Sequence, residues 1–174
     1  MKTKLCVVAV VALAVWGMKR CYADSRPDDL WWILSPTAQL VEATTGTTFT
    51  SSPGEGYVSR ERLFLIEKSC AGINFMIAAF GMLVFALFHR VGSAVSAAAV
   101  VGISIAGGYV SAVLVNAARI TIAMWLAAHP IAWPMAAADV HRLEGIIVYF
   151  GGLMLLYETV HQLDRSATAF GCRP

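Results

Sequence analysis

The chain has 174 residues, of which 58% are hydrophobic and 14% are charged, and its formal net charge is +2. Soluble domains carry roughly 25% charged residues, so this low charge content is not typical of a soluble enzyme. Composition and length together indicate a single membrane domain over residues 1–174. The basic residues are scattered and do not interleave with aromatic ones, which excludes a nucleic-acid-binding surface.

Residues 5–18 form the first apolar run, and Lys2 and Lys4 precede it. A run of about 14 residues is short for a membrane span, which needs roughly 20. It is either the core of a signal peptide cleaved after the small residues near Ala23, or an uncleaved first helix over residues 5–20. We favour the uncleaved helix, because Lys19 and Arg20 separate the apolar core from the cleavage position. Both interpretations place the following residues outside the cytoplasm.

Residues 24–69 form the sizeable polar segment of the chain, which we expect on the extracytoplasmic side. The stretch 30–34 is apolar and rich in Trp, as is typical of a membrane interface. Residues 44–52 are rich in Thr and Ser, residues 53–56 carry a turn pattern, and residues 57–66 have β-forming residues at both ends. This pattern predicts a small extracytoplasmic β-hairpin on the membrane surface.

Residues 70–160 are expected to form a catalytic helical core. Three apolar runs of about the length that crosses a bilayer cover residues 71–88, 93–115 and 145–160. In the second of these runs, two pairs of small residues stand four positions apart, Gly102 with Ala106 and Gly107 with Ser111. Such pairs allow the backbones of membrane helices to approach closely.

Residues 120–128 are apolar but too short to cross, and Pro130 and Pro134 follow them, so we expect a short interfacial segment. The fold class is therefore an all-α integral membrane protein with about four transmembrane helices. Lys2 and Lys4 favour a cytoplasmic N-terminus, whereas the basic residues of the polar segment oppose it. We favour the cytoplasmic N-terminus, which makes residues 161–174 a cytoplasmic tail.

Three reactive residues border these apolar runs. Cys70 precedes the second run of the chain, Arg119 follows the third, and His141 precedes the last. In the four-span topology all three arrive at the same face. A thiolate is the nucleophilic form of cysteine, and helix N-termini and neighbouring cations stabilise it. Arginine carries a fixed positive charge, and histidine exchanges protons near neutral pH, so together they allow acyl transfer through a thioester.

Simpler interpretations of these residues than acyl transfer are also possible from the sequence. A lone cysteine in an apolar helix usually packs as a small hydrophobic residue, and His129 competes with His141 as the outer histidine. A disulfide between Cys21 and Cys70 is an alternative in an oxidising compartment. We expect no metal and no other cofactor, because the four cysteines show no CxxC pair and the histidines no HExxH motif.

Three short motifs occur in order, each beside an apolar run: EKSCAGINF around Cys70, NAARI ending in Arg119-Ile120, and HRLEG from His141 to Gly145. With the spacings C-x-G, N-x-x-R-[IV] and H-x-x-x-G, the chain resembles the exosortase/archaeosortase family over roughly residues 30–160. The small exosortase K group is the most similar. The chain differs from larger exosortases in lacking several N-terminal helices, and in carrying Asn74 where many members have another polar residue.

The resemblance implies a membrane-embedded cysteine peptidase or transpeptidase. Cys70 would be the nucleophile, Arg119 the essential cation and His141 the residue that transfers protons. Gly72 and Gly145 are the motif glycines, while Asn74 and Asn116 share helical faces with Cys70 and Arg119 and would orient them. The implied substrates are proteins with a C-terminal motif, a transmembrane helix and a basic tail, processed at the extracytoplasmic face of a bacterial inner membrane.

Two other functions remain open from the sequence. The Gly-, Ala- and Ser-rich third run would also suit a non-enzymatic helical membrane scaffold or assembly factor. A membrane thiol-redox protein would use Cys21 together with Cys70. The peptidase hypothesis differs from both, because it requires Cys70 and predicts that Cys21 is dispensable.

Overall fold

The structure is a computed structural model that describes residues 2–129 and 136–171. Five α-helices are described: α1 (Lys2–Asp24), α2 (Trp31–Thr45), α3 (Ile73–Leu87), α4 (Ala94–Ala128) and α5 (Ala137–Gly171). Three short strands lie between α2 and α3: β1 (Thr50–Ser52), β2 (Gly56–Ser59) and β3 (Phe64–Ile66). Short 3₁₀ turns precede α2, precede α3 and follow α3.

Four helical segments within the described residues are long and apolar enough to cross a membrane, which confirms the predicted number by length and composition. They are Lys2–Asp24, Lys68–Arg90, Ala94–Ala128 and Asp139–Ser166. The first is longer than the predicted range 5–20. Residues between Met18 and Asp24 continue the helix because the first proline of the chain, Pro27, comes after them. Val7 is the buried residue of α1.

The polar segment contains a helix that the sequence analysis missed. α2 begins in the Trp-rich stretch and contains Pro36, whose missing N–H leaves the carbonyl oxygen of Trp32 to accept a hydrogen bond of 2.8 Å from the hydroxyl of Tyr109 on α4. Its buried face consists of Ile33, Leu34, Thr37, Ala38 and Val41, which pack against α4. The helix ends at Gly46, whose φ of 68° is left-handed and whose N–H donates to the carbonyl oxygen of Glu42. The segment is therefore a helix followed by strands.

The strands form an antiparallel sheet in the order β1–β2–β3, with Val58 paired to Thr50 on one side and Leu65 on the other. The predicted hairpin is present and a third strand extends it. Gly56 is required at the first turn, because its φ is 113° and a side chain there would collide with the carbonyl oxygen of Ile66. The chain leaves β3 directly towards Cys70.

α4 is one continuous helix of 35 residues, so the prediction of a span over 93–115 and a separate interfacial segment over 120–128 is wrong. No proline or glycine interrupts residues 109–129, and Pro130 follows the end of the helix. At 1.5 Å per residue the helix is about 50 Å long, longer than a hydrocarbon core of about 30 Å. Arg119 accordingly lies within the helix rather than beyond its end.

α5 also has 35 residues and continues past Val160 as far as Gly171. The predicted span of 145–160 was too short at both ends, and most of the predicted tail over 161–174 is helical.

Helices α3 and α4 pack closely against each other. A Cβ atom on Gly108 would lie 3.2 Å from the backbone nitrogen of Phe80, and one on Gly107 would lie 2.9 Å from Leu83 Cδ1. The helix backbones therefore approach closely at Gly108, next to the predicted Gly107. At Gly102 an added Cβ atom would meet no described atom within 4 Å, so the prediction of close packing is wrong there.

Candidate functional site

Cys70 lies in a 3₁₀ turn, Lys68–Cys70, between β3 and α3. Gly72 follows with a left-handed φ of 67°, and α3 begins at Ile73, so the thiol stands just before the helix. A Cβ atom on Gly72 would lie 3.1 Å from Cγ of Asn116. The glycine of the C-x-G motif is therefore required twice, once for the backbone conformation and once for the close approach of α4.

Asn116 on α4 joins this turn to the rest of the bundle. It is fully buried, and its Nδ2 donates to the carbonyl oxygen of Cys70. Its Oδ1 accepts a hydrogen bond of 2.9 Å from the hydroxyl of Tyr149 on α5. Asn116 thus holds the backbone of Cys70 by using both ends of its amide. The sequence predicted an orienting role for Asn116, and the structure shows that the group it contacts is the Cys70 carbonyl.

Arg119 lies one turn further along α4 and is 14% exposed. Nη1 donates to the Tyr149 hydroxyl at 3.2 Å, and Nη2 lies 3.2 Å from Nε2 of His141. A Cβ atom on Gly145 would lie 3.1 Å from Nε of Arg119, so the glycine of the H-x-x-x-G motif leaves room for the guanidinium group. Cys70 is near enough to Arg119 for an electrostatic interaction.

His141 stands on the first turns of α5 with its side chain 55% exposed. Its Nδ1 lies 3.7 Å from Oε2 of Glu144, which in turn lies 3.9 Å from Nε of Arg119. Glu144 is only 8% exposed. The imidazole, the guanidinium group and this carboxylate form one contiguous polar cluster on α4 and α5.

A cavity of about 420 Å³ opens over these groups. Ser69 and Gly72 line it on either side of Cys70, opposite Arg119 and His141. Cys70 is partly exposed, and its described hydrogen-bonding contact is with Ser69, whose Oγ lies 3.8 Å from Sγ. The structure thus places Arg119 and His141 in the lining of a cavity that also includes the residues on either side of Cys70.

Asn74 was predicted to orient Cys70, but among the described residues the structure does not show a hydrogen bond between the two side chains. Asn74 is exposed and lines the cavity. His129, the competing histidine, stacks on Trp125 with ring centroids 5.0 Å apart and does not line this cavity. Cys6, Cys21 and Cys70 are free thiols in the described part of the chain, and Cys172 lies outside it.

Sequence reasoning missed three residues of the site. Tyr149 and Glu144 follow His141 by eight and three positions, a helical spacing that would have been visible if α5 had been predicted to begin before Gly145. Tyr22 on α1 donates from its hydroxyl to the carbonyl oxygen of Lys68 at 3.1 Å and lines the cavity. Its contribution was not predictable because it depends on how α1 packs.

No family model matches the chain, and neither a curated protein nor a solved structure matches it. The resemblance to the exosortase/archaeosortase family stays a prediction that rests on the motif residues. The geometry itself offers a fixed cation and a proton carrier in one cavity, with a partly exposed thiol between two of its lining residues, and these are the groups that acyl transfer uses.

Proposed function

We propose that this protein is a membrane-embedded cysteine peptidase or transpeptidase of the exosortase type. It would cleave C-terminal sorting signals at the extracytoplasmic face of a bacterial inner membrane. The observation that supports the proposal is a cavity lined by Arg119, His141 and the residues Ser69 and Gly72 that flank Cys70, which come from three different parts of the chain. Buried polar groups are costly in a membrane bundle, so their concentration at one end favours a function there.

Acylation begins when the proton of the Cys70 thiol moves to Nε2 of His141. The thiolate attacks the carbonyl carbon of the scissile peptide bond, forming a C–S bond while the carbonyl electron pair moves to oxygen. Arg119 stabilises that oxyanion, because its guanidinium group keeps its positive charge at every relevant pH. The C–N bond then breaks, His141 passes its proton to the departing nitrogen, and a thioester remains on Cys70.

Deacylation repeats these roles with a second nucleophile. Water, or the amine or hydroxyl of an acceptor, attacks the thioester while His141 takes its proton. The C–S bond breaks and the proton returns to sulfur, which regenerates Cys70 and releases an acid or a conjugate. His141 has a half-exposed ring, which allows the second nucleophile to reach it from solvent.

The groove beside the cavity suits the transmembrane helix of a substrate. On α3, an outward stripe of Asn74, Ala78, Gly81 and Phe85 is exposed or partly exposed. α1 packs on one side of it, near Phe80 and Val84, and α5 on the other, near Phe75. A Cβ atom on Gly81 would meet no described atom within 4 Å, and Asn74 connects the stripe to the cavity. A helix docked there would lead its extracytoplasmic end to Cys70.

The decisive experiment compares the native cells with cells that carry the Cys70→Ala variant. C-terminal peptides of membrane proteins, identified by mass spectrometry, should reveal proteins with a motif, a helix and a basic tail that accumulate uncleaved in the variant. Cys21→Ala is the matched control, because it removes an exposed free thiol without touching the described cavity lining. Full processing by Cys70→Ala would overturn the peptidase proposal.

The docking groove has its own test. Gly81→Trp would fill the stripe on α3 and is expected to lower processing at least tenfold, while labelling of Cys70 by a small thiol reagent stays unchanged. The control is Gly102→Trp, since Gly102 also has open space around it but lies on α4, beside α1. If Gly102→Trp is the damaging change and Gly81→Trp is silent, the groove is not the docking site and the scaffold function gains support.

A further inference from the structure

Glu144 is a buried carboxylate whose surroundings point to a role. Its two oxygens are buried and have no hydrogen-bond partner among the described residues. Nε of Arg119 and Nδ1 of His141 both approach Oε2, at 3.9 and 3.7 Å. A carboxylate removed from water is costly unless charges compensate it, and these two groups are the ones placed to do so.

The contact between Arg119 and His141 defines the state of the imidazole. Arginine nitrogens donate hydrogen bonds and do not accept them, so Nε2 of His141 is the acceptor of the 3.2 Å contact with Nη2. A neutral imidazole with an unprotonated Nε2 carries its proton on Nδ1. That proton faces Glu144, because Nδ1 is the nitrogen closest to its carboxylate.

We propose that Glu144 is a positioning residue that holds neutral His141 as the Nδ1–H tautomer and stabilises the imidazolium that forms during the reaction. The second part rests on the proposed peptidase function. When the S–H bond of Cys70 breaks, the proton binds Nε2, Nδ1 keeps its own proton, and Glu144 stays ionised. The N–H of Arg119 leaves Nε2 in that step, which frees the guanidinium group for the developing oxyanion.

Other groups that titrate or carry charge surround this cluster and belong to its electrostatics. Tyr149 lies on the same helix and hydrogen-bonds to Arg119. Cys70, in the turn before α3, interacts electrostatically with Arg119 and with Tyr22 of α1. Glu144 is the acidic residue that directly contacts both Arg119 and His141 among the described residues. Its replacement therefore changes the charge balance of the whole site.

Two substitutions separate the two parts of the proposal. Glu144→Gln keeps an oxygen opposite Nδ1–H but removes the charge, whereas Glu144→Leu removes both at similar size. With ¹⁵N-labelled histidine in micelles at about pH 8, where a free imidazole is neutral, NMR distinguishes the two tautomers. Comparison with His141→Asn assigns the signal of His141 among the four histidines.

The wild type and Glu144→Gln should show the Nδ1–H tautomer, and Glu144→Leu should shift His141 towards Nε2–H. Processing should fall about tenfold in Glu144→Gln and about 10²-fold or more in Glu144→Leu, within the range of general acid–base contributions. Glu158→Gln and Glu158→Leu are matched controls on the exposed face of α5 and should process normally.

The outcomes separate this inference from the proposed function. An Nε2–H tautomer in the wild type, or one that Glu144→Leu leaves unchanged, overturns the positioning role whatever the processing results are. Normal processing by Glu144→Gln overturns the stabilisation of the imidazolium. Full processing by Cys70→Ala overturns the peptidase function instead, while the tautomer measurement still decides whether Glu144 orients His141.

Discussion

The two ends of the helical bundle are built in different ways. The far end is an apolar cluster in which Val7 of α1 packs with Phe80 and Val84 of α3 and with Ala97 and Val100 of α4. Its charged groups lie at the surface, where Arg90 and His89 pair with Asp164. Packing of this kind is sufficient to hold membrane helices together.

The site end holds buried polar groups beside an apolar cluster that is larger than the one at the far end. Asn116 and Glu144 are buried, and Arg119 and Tyr149 connect them across α4 and α5. Buried ion pairs contribute little net stability compared with well-packed apolar residues. Under the proposed function, the buried polar groups of the site end serve the chemistry rather than the stability of the bundle, and substitutions at matched positions at the two ends test this division.

The largest expected effect compares the two arginines. Arg119→Lys keeps the charge but loses the planar fork that reaches Tyr149 and His141 together, so processing should fall by about 10²-fold or more. Arg90→Lys makes the same change in a half-exposed ion pair at the far end and should process normally. Equal losses in a processing assay would mean that the two ends do not differ in the way described.

Gly72 and Gly46 offer the next comparison, because both have left-handed φ angles of nearly equal size, 67° and 68°. Alanine costs about 1–2 kcal/mol of backbone strain at either position. At Gly72 it also meets Asn116, whereas at Gly46 it has open space. Gly72→Ala should therefore lose most of its processing and Gly46→Ala only stability, as measured by unfolding in mixed micelles. A normal processing rate in Gly72→Ala would contradict the placement of Asn116 against the turn.

Gly145 and Gly151 test the room left for the guanidinium group. Gly145→Ala places a methyl group 3.1 Å from Nε of Arg119, while Gly151→Ala meets nothing within 4 Å. Displacing Arg119 by a few tenths of an ångström should lower processing about tenfold with little change in stability. Gly151→Ala should process normally and gain up to about 1 kcal/mol from helix propensity. If both variants process alike, Gly145 does not serve the position of Arg119.

The sequence predicted the three reactive residues of the site better than the residues and helices that hold them in place. Cys70, Arg119 and His141 were identifiable because each borders an apolar run, and the structure places them at one end of the bundle. Glu144 and Tyr149 were not identified, since their contacts depend on the packing of α5 against α4. The continuity of α4 was missed because Asn116 and Arg119 suggest the end of a span, whereas tertiary partners satisfy both.

The smallest effect on function is expected from the apolar cluster of the far end. Val84→Ala removes two buried methyl groups and should lower the free energy of unfolding by about 1.5–2 kcal/mol, measured by denaturation in mixed micelles. Val95→Ala is the control, because Val95 is 81% exposed on α4 and should leave stability unchanged. Processing should be normal in both variants. If Val84→Ala lowers processing more than its loss of stability explains, the far end takes part in the chemistry, because only coupling through the packed face of α3 connects it to Cys70.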